Sequence, residues 1–274
     1  MSNVIESTEK VLDYGAYTEE KLRYGTFTIV IPAYNEIKRL PPVLYEVCNF
    51  ISYNGLPWNI IVSVDGDDGT YEFVEVLSGK FSFVHVLSGN GREGMGGAIK
   101  HALLFTDSDY VILMDADGSS HISDIMTSLG LVEWYDIVNF NRYDTKENSI
   151  PFRRRFASRV FNLMLKIIFN ISVSDTQCGY KIMRRSSVLP IVNSITFTNA
   201  FFLSALFLHG KRNKLKISEV PIRYDHTNGS KFTVSMTSIS YIVSLIGFAI
   251  RNSKVYFFIP DSIKELYYKK FRYL

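Results

Sequence analysis

Only two cysteines occur in the 274 residues, Cys48 and Cys178, and neither belongs to a CxxC or histidine-spaced pattern. A disulfide framework and a structural zinc site are thereby excluded as organising features, and a reducing cytosol is the expected setting. The chain also lacks a dominant charge, with 30 basic against 27 acidic residues, so global attraction to nucleic acid is not indicated. The uncharged stretch 232–250 has 19 residues, but six are Ser or Thr and only its second half is strongly apolar. A spanning helix wants about 20 mostly apolar residues, so an interfacial helix is expected there instead. Met1–Thr26 carries five acidic and three basic residues and no apolar run, which predicts neither a secretory signal nor a transit peptide. No GxxxxGK[ST] occurs, which excludes a P-loop. The glycine-rich segment from Gly91 fails GxGxxG, because Ile99 stands at the third glycine position and the segment does not follow the first strand.

What is present is the composition of an ordinary globular protein, 47% hydrophobic and 21% charged, with a high content of Phe (20) and Tyr (17). Five short apolar runs, at 27–31, 60–64, 81–86, 110–114 and 136–140, alternate with helix-length amphipathic stretches. Such alternation predicts an α/β fold with a mostly parallel central sheet, whose strands are covered on both faces. Pro41 and Pro42 suit the first turn of a helix through Val43, Leu44, Val47 and Phe50. After Arg142 longer helical stretches take over, with strands expected at 179–183 and 216–223. FVEVLSG (73–79) and FVHVLSG (83–89) look alike but are too short and isolated for a repeat architecture. No linker is evident, and 142–150 reads as a change of role within one fold.

In open α/β sheets ligands bind beyond the carboxyl ends of the strands, so the residues after each apolar run are the candidates for chemistry. Asp115 and Asp117 follow a fully apolar strand. Two carboxylates so close repel each other unless a cation sits there, and hard divalent ions take such oxygens together with substrate phosphates. The bland alternative is that they only cap the following helix, near Ser119 and Ser120. Asp65-Gly66-Asp67-Asp68-Gly69-Thr70 offers acceptors for ribose hydroxyls and a base edge, Asp65 and Asp67 among them, while Asp68 better suits capping the following helix. Tyr34 and Glu36 emerge together after the first strand, one to cover a nucleobase and the other to accept from it, or else as an ordinary turn. Gly94 and Gly96, with Arg92 and a helix amino terminus, suit close approach of a diphosphate.

IVIPAYNE, VSVDGDDGT, the Gly94–Ala98 loop, LMDADGS and DTQCGYK (175–181) stand in the order and approximate spacing of the inverting family 2 glycosyltransferases of GT-A fold. With EVPIRY (219–224) and Gly229-Ser230-Lys231, the chain resembles the polyprenyl-phosphate sugar synthases among them, the dolichyl-phosphate glucose synthases most and the dolichyl-phosphate mannose synthases next. The resemblance covers residues 27–232. It implies a GT-A domain over 1–232, with a donor half at 27–141 and an acceptor half at 142–232, and membrane-interface helices with a basic aromatic tail at 233–274. It implies that Pro32, Ala33, Tyr34, Glu36 and Asp65 hold the nucleoside, that Asp115, Ala116 and Asp117 serve the ribose, diphosphate and a Mg²⁺ or Mn²⁺ ion, and that Gln177 lies near the sugar. UDP-glucose is the favoured donor, with GDP-mannose as the alternative. Two positions depart from the pattern: Met95 replaces the lysine of the usual GKG loop, and Asn199-Ala200-Phe201-Phe202 lacks an acidic residue found in relatives.

The stretch Arg153–Asn170 has no acidic residue. At helical spacing Arg155, Arg159, Asn162 and Lys166 form one stripe and Phe156, Val160, Leu163, Met164 and Ile167 another, which suits a helix lying in a lipid headgroup layer, or a core helix with a solvated face. Residues 251–274 carry six basic residues against two acidic, interleaved with aromatics, as membrane-surface anchors do. The expected activity is transfer of a hexose from a nucleotide sugar to a polyprenyl phosphate at the cytoplasmic face of a membrane, by a peripheral, monotopic protein. A phosphate monoester is already ionised at neutral pH, its second pKa being about 6, and needs no dedicated base. Asp117, through its metal, is expected to stabilise the departing diphosphate. Arg142, Arg153, Arg154, Arg155, Arg159 and Lys231 are the candidates to hold the acceptor phosphate. A transferase acting on a sugar hydroxyl would need a base, for which Asp175 is the candidate. A non-catalytic nucleotide-sugar or membrane-binding protein is the third reading.

Overall fold

The structure, a computed structural model, describes residues 25–88, 92–145, 148, 150–225, 234–251, 260–263 and 265. Seven strands form one sheet: β1 (Phe27–Tyr34), β2 (Asn59–Asp65), β3 (Val84–Ser88), β4 (Tyr110–Leu113), β5 (Ile137–Asn141), β6 (Lys181–Arg184) and β7 (Ile217–Pro221). Their spatial order is β3-β2-β1-β4-β6-β5-β7, and only β6 runs antiparallel to its neighbours. The alternation of side chains along a strand divides the core in two. Ile29, Ile31, Ile60, Val62 and Ile112 face α1 (Leu40–Tyr53), α2 (Thr70–Ser78) and α4 (Ile122–Met126), whereas Val30, Ile61, Val111 and Leu113 face α3 (Gly94–Phe105), α6 (Arg185–Val192) and α7 (Phe202–Arg212).

Every predicted strand is present, with shifted ends. Residues 81–83 lie outside β3, because the last turn of α2 runs on through a Phe81 N–H bond to the Leu77 carbonyl, 3.0 Å. The two similar heptapeptides therefore take opposite structures: FVEVLSG is mostly helix and FVHVLSG mostly strand. Pairing with β2 decides the second against any local preference. Pro41 and Pro42 do stand in the first turn of α1.

The register of β1 with β2 and β4 sets Tyr34 beside Asp65, and Met114 donates to the Val30 carbonyl just past β4. The polar segments after β1, β2 and β4 thus leave the sheet at one edge. On the far side of β4, α5 (Phe152–Phe169) packs against α8 (Val234–Arg251), with the Phe161 and Tyr241 rings 5.3 Å apart and those of Phe169 and Phe248 5.4 Å apart. Leu245 and Phe248 are buried among Phe201, Phe202 and Phe207, so α8 shares the core of the sheet domain and the expected division at 232/233 does not separate two cores. Among the described residues no helix is long and apolar enough to cross a membrane, α8 included.

Candidate active site

The loops after β1 and β2 are zipped together by short polar contacts. Asn35 has φ +54°, its side-chain oxygen accepts the Asp67 N–H at 3.0 Å, and its own N–H reaches the Asp65 carbonyl at 3.2 Å. A Cβ on Gly66, at φ +101°, would fall on that Asn35 oxygen, so glycine is required there. Asp68 accepts the N–H groups of Ile37 and Thr70, the capping role read for it, while Thr70 Oγ1 accepts the Glu36 N–H. Tyr34 is 41% exposed and carries the Arg92 guanidinium 4.8 Å above its ring. Ala33 and Ala116 point into the core, so a donor lying here meets them through backbone only; Pro32 is half-buried beside them.

Two expectations about the diphosphate cradle need correction. The first N–H groups of α3 are already occupied, because Asp65 Oδ2 accepts those of Glu93 and Gly94 at 3.1 and 2.8 Å. Asp65 therefore serves as the anion that the helix terminus attracts, and a diphosphate does not take that place. Gly94 and Gly96 are small for another reason than substrate approach: a Cβ on Gly94 would sit 2.7 Å from the Thr198 carbonyl oxygen, and one on Gly96 would sit 2.7 Å from Phe202 Cβ. The segment 197–202 lies against the glycines, and the Gly96 N–H bonds the Thr198 carbonyl at 2.7 Å. Both departures from the family pattern fall into this joint. Met95 packs against the second core cluster, and Asn199 donates to Ser244 Oγ on α8 at 3.0 Å.

Asp115 and Asp117 stand at the centre of the edge. Asp117 Oδ1 accepts the Ser119 N–H at 3.1 Å, which closes a turn and caps no helix, since the following helix begins only at Ile122 with no side-chain cap, and Asp117 Oδ2 stands 3.9 Å from Arg39 Nη1. Asp115 lies against the Cα of Gly179, where an added Cβ would meet its carboxylate at 2.0 to 2.2 Å. Burial and, second, the charge of Asp117 push Asp115 up to about 7. Among the described residues no three His, Cys, Asp or Glu side chains cluster as a complete metal cage. Two carboxylates, one costly to ionise alone, match a hard divalent ion whose remaining ligands come from substrate phosphates and water.

The segment 174–181 bounds this site on the acceptor side and is held from four directions. Glu219 accepts the N–H groups of Ser174 and Asp175, Asn139 donates to the Asp175 carbonyl, Asn162 on α5 accepts the Thr176 N–H, and Ser204 meets both Thr176 and Gln177. Asp175 is not a base poised over a substrate. It is fully buried, and Arg142 grips it through Nε and Nη2, each 2.8 Å from an oxygen. By the same geometry Arg142 belongs to this pair, stacked between Tyr143 and Tyr224 at 5.6 and 5.3 Å, and is not an open phosphate ligand. Gln177 Oε1 is buried with no hydrogen-bond partner among the described residues. Lys181 is buried under Phe207, with its ammonium bonded to the Cys178 carbonyl, and burial pulls it down to about 8.

The basic stripe of α5 is split. Asn162 faces inward, Arg155 is half-buried and donates to the Asn148 carbonyl at 3.3 Å, and Arg153, Arg159 and Lys166 are exposed. Arg154 is half-buried within electrostatic reach of Asp115. A cavity of about 440 Å³ opens beside the start of the helix, lined by Asn148, Ile150, Pro151, Phe152 and Arg155, where Arg155 Nε is buried with no hydrogen-bond partner among the described residues. The expected apolar stripe does face outward, with Phe156, Val160, Leu163 and Ile167 exposed together with Phe152 and Ile168; Met164 is half-buried. Lys231 and the aromatic tail at 256–259 and 266–273 lie outside the described residues.

Sequence reasoning missed Arg39, Gly179, Asn139 and Glu219. For Gly179 the DTQCGYK motif was the available signal and for Glu219 the EVPIRY motif that it opens, but neither motif says what the residue packs against or holds.

The chain is 28% identical over 227 residues to a dolichyl-phosphate beta-glucosyltransferase of Trichomonas vaginalis, covering 76% of this chain and 68% of that one. It is 26% identical over 242 residues to the dolichyl-phosphate beta-glucosyltransferase of Saccharomyces cerevisiae, covering 80% and 72%. Among solved structures it superposes on mannosyl-3-phosphoglycerate synthase from Rubrobacter xylanophilus with a TM-score of 0.66, at 19% identity over 89% of this chain and 82% of that one. Glucosyl-3-phosphoglycerate synthase from Mycobacterium tuberculosis, in complex with Mn²⁺ and UDP-glucose, superposes with a TM-score of 0.64, at 18% identity over 84% and 80%. Residues 28–189 match the family described as Glycosyl transferase family 2. With the GT-A architecture and the carboxylate pair at the end of β4, the chain belongs to that family.

Proposed function

We propose that this protein transfers glucose from UDP-glucose to a dolichyl-type polyprenyl phosphate, with inversion at the anomeric carbon. One observation carries the reading. An arginine-led helix starts within electrostatic reach of Asp115 and presents an apolar face to the surroundings, which suits an acceptor with an anionic head and a lipid tail. Donor and acceptor then meet from opposite sides of the Asp115–Asp117 corner. Residues 27–141 form the donor half, 142–232 the acceptor half, and α5 with 233–274 the interface with the cytoplasmic face of a membrane, on which the protein lies without crossing it.

Asp115 and Asp117 would hold Mg²⁺ or Mn²⁺, which when bound neutralises charge developing on the leaving diphosphate. The chain's own groups do the rest. Tyr34 covers the base and Glu36 accepts from it. Gln177 Oε1 accepts from a sugar hydroxyl, which would satisfy its buried lone pairs. Arg154 and Arg155, with Arg153 and Arg159 on the exposed side of the helix, hold the acceptor phosphate in line with the anomeric carbon, and Lys231 is a further candidate for the same phosphate. No proton has to be removed from the nucleophile, which agrees with the locked Asp175. A hydroxyl acceptor would need a free base, and Asp175 is engaged on both oxygens. Incubation with labelled UDP-glucose, Mg²⁺ or Mn²⁺ and dolichyl phosphate should yield an acid-labile glucolipid. Activity with GDP-mannose alone would overturn the donor assignment. Product only on sugar hydroxyls, or no product from the folded protein with membrane extract, would overturn the acceptor assignment or the reading as an enzyme.

A further inference from the structure

Between Glu36 and the Asp115–Asp117 corner stands a cation. Arg39, the residue before α1, lays a fork on Glu36, with Nε 2.7 Å from Oε2 and Nη2 2.5 Å from Oε1. Its backbone N–H closes the same turn on the Glu36 carbonyl at 2.9 Å, so its base is fixed. These bonds occupy Nε and Nη2, and Nη1 is left 3.9 Å from Asp117 Oδ2, beyond hydrogen-bond length but within ion-pair range. The guanidinium charge is stabilised by Glu36 first and also by Asp117 and Asp115. Its side chain is about one-fifth exposed, as is that of Asp117.

We infer that Arg39 is a positioning residue and the resident counter-cation of the acidic corner. It orients Glu36 toward the nucleoside, and its Nη1 donors serve a diphosphate oxygen of the bound nucleoside diphosphate. A fixed positive charge beside Asp117 opposes a divalent ion entering an empty pocket, while a diphosphate supplies enough negative charge to hold both cations. Arg39 thereby makes the metal follow the nucleotide. The inference rests on reading the corner as a metal and diphosphate site.

The test measures Mn²⁺ alone, UDP alone and the two together, by calorimetry and Mn²⁺ spin resonance on the full chain. Arg39→Gln should bind Mn²⁺ alone roughly three- to tenfold more tightly and UDP alone roughly tenfold more weakly. Arg39→Lys, which keeps the charge but loses the fork, should bind Mn²⁺ like the parent and UDP more weakly. It also carries the test if the glutamine variant does not fold. A role confined to stability would lower the melting temperature and leave affinity for Mn²⁺ alone unchanged. Unchanged or weaker Mn²⁺ binding by Arg39→Gln, with Asp117→Asn abolishing it, would overturn the counter-cation role alone. Mn²⁺ binding that persists in Asp117→Asn would overturn the site reading and this inference with it.

Discussion

Asp115, half-buried, and Asp175, fully buried, are both carboxylates of this site, and their partners give them opposite functions. Asp175 has a guanidinium on both oxygens, and removing one member of such a pair strands the other charge in the core. Arg142→Ala should cost about 3–5 kcal/mol, seen as a fall of roughly 10 °C in melting temperature, with the tyrosines on either side unstacked. An Arg142→Ala variant that melts like the parent would refute the structural role. Asp115 has no counter-ion of its own within hydrogen-bond reach among the contacts described, and burial holds it near pH 7. Because its folded pKa lies above the ordinary 3.8, its contribution favours the fold at low pH and is lost as pH rises from about 4 through 7. A divalent ion binds the ionised form, so the ion must displace a proton below pH 7. The rise in melting temperature on adding Mn²⁺ with UDP should therefore be larger at pH 8 than at pH 6, and an equal rise at both would contradict the assignment of Asp115 as a ligand. The carboxylate pair was legible in the sequence because acids at the end of an apolar strand have few structural uses. Arg39 was not, since an acid and a base three residues apart in a turn look like any solvated pair until folding carries Asp117 beside them.

Helix α3 shows why an element can be identified correctly and its purpose misread. Its glycines and its position after β3 are plain in the sequence, but whether they make room for a ligand or for the chain itself depends on residues 197–202, a hundred positions away. A shorter separation, 28 and 29 positions, is enough to hide the use of Asp65, whose carboxylate reaches across to Glu93 and Gly94 at the start of α3. In an ordinary helix Gly→Ala is favourable by about 1 kcal/mol. At Gly96 the new methyl would overlap Phe202 and the Phe197 carbonyl, so Gly96→Ala should instead destabilise by about 1–3 kcal/mol, measured by denaturant unfolding. Binding of UDP should weaken only as far as the joint shifts. A variant of parental stability with UDP affinity lost would restore the diphosphate reading of this loop.

At the scale of the whole molecule, the protein has a wet face at the carboxyl edge of the sheet and a greasy one along α5. Side chains such as Phe152 and Ile167, 79% and 73% exposed, stand with Phe156, Val160 and Leu163 on one helix, and contiguous apolar surface of this kind marks an interaction site. The charges on the same helix decide less than the apolar face. Arg153, Arg159 and Lys166 each offer roughly 1 kcal/mol near an anionic surface, and salt screens that away, whereas each buried aliphatic or aromatic side chain offers about 1.5–3 kcal/mol that salt does not remove. Flotation with phosphatidylserine-containing vesicles should accordingly weaken in 1 M salt without disappearing. The double variant Phe156→Ser, Ile167→Ser should lose on the order of tenfold or more in partitioning while keeping its melting temperature, because neither side chain is in the core. Its turnover should fall with long-chain dolichyl phosphate in vesicles and hold with a short, water-soluble polyprenyl phosphate, since the site itself is untouched. Equal losses with both acceptors would mean that α5 shapes the active site and does not dock it to lipid.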